Sequence, residues 1–131
     1  MGDIRSSDPY CILHIGPNRV GQTTVRTWTL NPTWNETFTI PLLHLKHPLV
    51  IEIWDFDSVG SDDILGKVEL NLGDLPSNCK VEHKLNLERA SDTINPRGVL
   101  YLDAFLEVPF CNEYMYPLLF FNCPHSFDHF P

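Results

Sequence analysis

Seven short runs of alternating apolar and polar residues, each closed by Gly, Pro or Asn, restrict this chain to sheets. They cover 10–15, 23–29, 36–40, 49–56, 65–72, 81–87 and 98–108, with breaks at Gly16-Pro17-Asn18, Asn31-Pro32, His47-Pro48, 73–76 and Asn95-Pro96. The last run is the clearest: Leu100, Leu102, Ala104, Leu106 and Val108 share one parity, Tyr101, Asp103, Phe105 and Glu107 the other. That period of two belongs to half-buried strands, and many short strands with frequent turns predict an all-β antiparallel sandwich. A length of 131 residues, 43% of them hydrophobic, suffices for one such core. Trp34 and Trp54, large aromatics near strand ends, are expected inside it.

The strand over 49–56 ends in acid. The stretch 54–66 reads Trp-Asp-Phe-Asp-Ser-Val-Gly-Ser-Asp-Asp-Ile-Leu-Gly and sets Asp55, Asp57 and Asp63 around one turn. Side chains at i and i+2 share a face with roughly 7 Å between their Cα atoms, so Asp55 and Asp57 repel each other unless water or a cation intervenes. Calcium takes about 6–8 oxygen ligands at about 2.3–2.6 Å in irregular geometry, which suits a loop of carboxylates. Zinc favours His and Cys, and this loop has neither.

Three motifs together resemble the C2 domain family: Ser7-Asp8-Pro9-Tyr10, then Leu30-Asn31-Pro32-Thr33-Trp34-Asn35-Glu36-Thr37-Phe38, then Trp54-Asp55-Phe56-Asp57 with Asp63-Ile64-Leu65-Gly66. The resemblance spans about residues 3–108 and implies an eight-stranded antiparallel sandwich whose loops at one end bind calcium and then anionic phospholipid. Carried over residue by residue, Asp8 matches an acid of the first calcium loop, and Asp55, Asp57 and Asp63 match the three acids of the third. Asp3 stands one place from the family's first acid, and the carbonyls of Phe56 and Ser61 complete the implied ligand set for two calcium ions. Gly60 takes a position where some relatives carry a serine ligand, which argues against a third ion. Ile4 and Val59, beside the ligands, are the expected membrane contacts.

Seven recognisable strands leave the family's first strand missing, because the chain begins within the first loop. In the family that strand is interior, so its loss would strand the backbone groups of two neighbours. The predicted organisation is therefore an N-terminally incomplete C2 domain over 1–108 and an aromatic, Pro-rich tail over 109–131. That tail either stays loosely packed, touches a membrane or the sheet, or fills the gap; its prolines, Pro117, Pro124 and Pro131, discourage a long strand. Cys111, Cys123, His125 and His129 lie near one another in sequence, but their spacing fits no closed zinc motif.

The formal charge of −8, from 9 basic and 17 acidic residues, repels the calcium-free chain from an anionic surface. Metal binding would cancel the aspartates' charge and switch that repulsion off, giving a reversible membrane-targeting module for anionic, phosphatidylserine-like surfaces. Only Arg26, with Arg19 nearby, marks the strand over 23–29, so little headgroup specificity is expected from that face. No nucleophile elbow, phosphate loop or acid/base pair points to an enzyme. Met1-Gly2 with Ser6, and the sequon Asn35-Glu36-Thr37, read as coincidences of spelling. The four cysteines show no disulfide framework, and without a signal peptide or apolar span a reduced, cytosol-facing setting is expected, with peripheral attachment on calcium binding. The alternative function is a calcium-independent protein-interaction module, favoured by the shortened first loop.

Overall fold

The computed structural model describes residues 8–27, 29, 31–90, 98–109 and 116–127. Eight strands run β1 (Pro9–Ile15), β2 (Asn18–Gln22), β3 (Thr33–Pro41), β4 (Leu49–Asp55), β5 (Asp63–Leu70), β6 (Lys80–Asn86), β7 (Val99–Glu107) and β8 (Leu118–Phe127). Among the described residues one 3-10 turn, Leu72–Asp74, follows β5. The strands form two four-stranded sheets, ordered β2-β1-β4-β5 and β3-β8-β7-β6, with antiparallel ladders throughout. This is the sandwich that the alternation predicts.

The period-2 pattern sorts side chains between core and surface as expected. From the first sheet Cys11, Leu13, Leu49, Ile51, Ile53, Val68 and Leu70 face inward; from the second Ile40, Leu100, Leu102, Ala104, Leu106, Leu119 and Phe121 meet them. β1 turns into β2 through Gly16-Pro17, with Gly16 at φ 57, the left-handed conformation that a two-residue hairpin turn requires and that glycine adopts without strain.

One sequence expectation is corrected. The second strand lies at Asn18–Gln22, not 23–29. Residues after Gln22 still follow β1, through Thr23 N to Cys11 O at 2.9 Å and Arg26 N to Pro9 O at 3.0 Å, but without a continuous ladder. Side chains displace backbone pairing there: the Cys11 amide donates to Thr23 Oγ1 at 2.8 Å, and the Thr24 amide donates to Glu36 Oε2 at 3.0 Å. Thr23 is buried and its hydroxyl also donates to Thr24 O at 3.1 Å. Thr23→Val, which keeps the shape and deletes both bonds, is expected to leave the Cys11 amide unsatisfied. A cost of about 1–3 kcal/mol follows, measurable as a lower urea midpoint, with Thr23→Ser milder.

The aromatic tail follows one of the alternatives left open for it. Residues 118–127 form β8, and it occupies the interior of its sheet, between β3 and β7. The C-terminal segment thus supplies an interior strand, and the sandwich has eight strands among the described residues. Pro124, the reason to doubt a strand, has no register partner in either ladder: pairing with β7 skips from His125 to Asn122, and pairing with β3 from His125 to Cys123. A proline placed at such an irregularity removes no ladder hydrogen bond. Cys111 and His129 of the zinc alternative lie outside the described residues.

Candidate functional site

One end of the first sheet collects the acidic residues. In register, Pro9 of β1 faces Asp55 of β4, and Asp55 faces Asp63 of β5, so the start of β1, the end of β4 and the start of β5 meet. The backbone of Asp8 joins the first loop to the third from both sides. Its amide donates to Asp55 Oδ1 at 2.9 Å, and its carbonyl accepts from the Phe56 amide at 2.9 Å. Trp34, 1% exposed, donates from Nε1 to Pro9 O at 3.3 Å and Arg26 Nη2 donates to Trp34 O at 3.2 Å, which props the first loop from behind. The Asn-Pro-Thr-Trp-Asn motif thereby has a local purpose: Asn35 takes a left-handed φ of 53 at an irregularity of β3, a conformation Asn tolerates better than most residues.

The electrostatics follow from that proximity. Burial pushes the Asp55 carboxyl above its usual range; the Asp8 amide opposes that, while the charges of Asp8, Asp63 and Asp57 push it higher. Four carboxylates from two separated loops therefore share one field. Asp57 closes an Asx turn, its Oδ1 accepting the Val59 amide at 2.9 Å. A Cβ at Gly60 would lie 3.2 Å from Asp57 Oδ2, so glycine there leaves that carboxylate room. Ser61 is exposed in the same loop, Phe56 is 43% exposed and Val59, at 94%, stands at the tip. Asp3 and Ile4 lie outside the described residues.

Among the described residues, no three His, Cys, Asp or Glu side chains stand close enough together to hold a metal ion as they are placed. Backbone amides engage Asp55 and Asp57 instead. The donors at this end are nonetheless all oxygen, the chemistry that a hard divalent cation takes.

Sequence reasoning overlooked Asp62 and the part played by Tyr10. Asp62 Oδ2 accepts from the Tyr10 hydroxyl, and Asp62 Oδ1 accepts the Asp57 amide at 2.9 Å. The Tyr10 phenol is pushed up to about 12, by burial first, then by the hydrogen bond to Asp62 and its charge, with Arg19 opposing. The Tyr10 hydrogen bond, followed by that from the Asp57 amide, holds the Asp62 carboxyl below its usual range. The doubled acid Asp62-Asp63 was the available signal, since only one of the pair can begin β5 facing a given side. Trp54, expected in the core, is half-buried on the outer face instead, where its Nε1 donates to Glu52 Oε1 at 3.3 Å. No helix among the described residues is long and apolar enough to cross a membrane.

Comparison with known proteins agrees with this architecture. A solved C2 domain of plant extended synaptotagmin 1 superposes with a TM-score of 0.63 at 21% identity, covering 90% of this chain and 79% of that one. Protein C2-DOMAIN ABA-RELATED 1 of Arabidopsis thaliana is 32% identical over 92 residues, 70% of this chain and 54% of that protein. The mouse Multiple C2 and transmembrane domain-containing protein 2 is 35% identical over 100 residues, 74% of this chain and 11% of its own length. The chain thus spans about half or less of these curated relatives. The C2 domain model matches residues 1–87, which takes in both aspartate loops, and the chain belongs to the C2 domain family.

Proposed function

We propose that this domain attaches reversibly to anionic phospholipid, in a calcium-dependent manner, through the aspartate end of its first sheet. The observation that supports the reading is the register that sets Pro9 opposite Asp55 and Asp55 opposite Asp63, with the Asp8 backbone bonded to Asp55 Oδ1 and to the Phe56 amide. Those four side chains, with Asp3 and the carbonyls of Phe56 and Ser61, are the residues that would hold two ions. Calcium bound there supplies about +4 of charge against about −4 from the aspartates, and open coordination positions for lipid phosphate.

The chain's own part is to present and to restrain. The Asp8 amide and carbonyl fix the Asp55-Phe56 corner, and the Asx turn at Asp57 lifts Val59 to the tip. Val59, once the acids beside it are neutralised, enters the interface and contributes at most about 1.5–3 kcal/mol; Ile4 is assigned the same role. Binding of that size is reversible. C2 domains are non-enzymatic modules, and this reading asks for no catalysis.

Co-sedimentation with phosphatidylserine vesicles tests the proposal. Wild type is expected in the pellet with calcium and in the supernatant with chelator, and Asp55→Asn/Asp57→Asn in the supernatant under both conditions. The second reading, a calcium-independent interaction module, is favoured by the engagement of Asp55 and Asp57 with backbone amides. Pelleting of wild type that is indifferent to chelator, or absent throughout, would replace the calcium reading with it.

A further inference from the structure

The carboxylates at this end repel one another, and that repulsion acts to push Asp57 away from Asp55. Nothing within the exposed run 56–61 buries a side chain. The restraint comes from Tyr10, one residue into β1, which is 7% exposed and pairs in register with Trp54. Its hydroxyl donates to Asp62 Oδ2; Asp62 Oδ1 accepts the Asp57 amide at 2.9 Å; and Asp57 Oδ1 accepts the Val59 amide at 2.9 Å. A continuous chain of hydrogen bonds therefore runs from the buried ring on β1 to the loop tip.

We propose that Tyr10 and Asp62 are positioning residues: they form a latch that holds the third loop against β1 and keeps the Asp57 carboxylate beside Asp55, while Asp62 itself takes no part in ligating the cation. The inference deepens the calcium reading and rests on it. Asp62 lies next to Asp63 in sequence and carries the same charge, yet its two oxygens already accept from the phenol and from an amide. To serve as a ligand it would have to release the bond that positions Asp57. The same latch fixes the residue before β5 begins, so it sets the entry of Asp63 as well. The force it opposes is Coulombic repulsion among like charges, which is long-ranged and pushes the loop outward in the metal-free state.

The test uses the full chain with Tyr10→Phe, which keeps the ring and removes the hydroxyl, Asp62→Ala, which removes both acceptors, and the double variant. Three measurements are made: calcium titration by calorimetry, amide hydrogen exchange at Asp57 without calcium, and thermal melting in chelator. Tyr10→Phe is expected to melt cooperatively, to exchange the Asp57 amide faster, and to bind calcium roughly fivefold more weakly, the lower end of common coupling strengths. The double variant is expected to bind no more weakly than Asp62→Ala alone, because the two residues act through one connection. If Tyr10→Phe fails to fold, Asp62→Ala, altered in a surface loop, carries the test by the same two readouts. Wild-type calcium affinity in Tyr10→Phe with unchanged Asp57 exchange would overturn the latch and leave the calcium reading standing, as would losses that sum in the double variant. A wild-type chain that takes up no calcium would overturn both.

Discussion

A chain ending at residue 109 is expected to lose cooperative folding altogether. Removing 110–131 deletes β8, which has seven register partners on β3 and eight on β7. Both neighbours would then face an empty slot with unpaired backbone groups, inside the sheet rather than at its margin. Leu119 and Phe121, each 0% exposed, leave the core at the same time. Deleting those two side chains alone is worth about 5–10 kcal/mol, against a total of about 5–15 kcal/mol for an ordinary domain. Circular dichroism during a urea titration is the measurement: a steep transition for 1–131 and a shallow drift without a midpoint for 1–109. A truncated chain with the full-length midpoint would show β8 to be dispensable, and the sheet would have to close by another route.

How much of this could be read from the sequence depends on how a strand is built. β4 and β7 were legible to within a residue because both alternate cleanly, and the apolar parity of 98–108 is the one that the core uses. β2 was not: Asn18-Arg19-Val20-Gly21-Gln22 has a single apolar β-former, and as an edge strand it needs only one ladder. The run 23–29, with four Thr and one Val, has the propensity, but its described part lacks a continuous ladder, since Thr23 and Glu36 side chains take up backbone amides there. Propensity describes fit to a pleated surface, and tertiary partners decide where that surface lies. β8 was obscured by Pro124, whose tolerance depends on irregularities in its ladders with β3 and β7 that no local window contains.

The site divides the same way. Asp8, Asp55, Asp57 and Asp63 are candidates because their spacing matches motifs, and the register of β1, β4 and β5 gathers their backbones at one end of the first sheet. What the motifs could not give is the connective chemistry. The Asp8 backbone clamp follows from the register of β1 on β4, and the Tyr10 to Asp62 contact follows from the path of the third loop across the sheet. Such contacts join residues far apart in sequence, 47 and 52 positions in these two cases. On the proposed reading, a cluster that is strained when empty and useful when filled is a common compromise between stability and function.

That compromise makes Asp55→Asn informative in two opposite directions. In wild type, Asp55 keeps its proton more firmly folded than unfolded, because burial and the charges of Asp8, Asp63 and Asp57 outweigh the Asp8 amide. A carboxyl raised in this way lowers stability once it ionises, so its contribution is best below the ordinary value of 3.8 and is lost as pH rises through the folded value. Asparagine keeps an oxygen for the Asp8 amide and never ionises. In chelator the variant is therefore expected to melt above wild type at pH 7, with the gap closing as pH falls towards 4. On the proposed calcium reading, the metal is expected to reverse the order. Outer partners of metal ligands are worth about 10–100-fold in affinity, and a direct carboxylate is expected to exceed that, so the variant gains little from calcium. Wild type, at a calcium concentration about 100-fold above its Kd, gains about 2.7 kcal/mol. Scanning calorimetry of both proteins, with calcium and with chelator at pH 7 and pH 4.5, reads the crossing directly. Asp55→Asn melting below wild type in chelator would mean that the Asp55 charge is favourable in the empty site. The same order with and without calcium would mean that no cation is held by Asp55 at all.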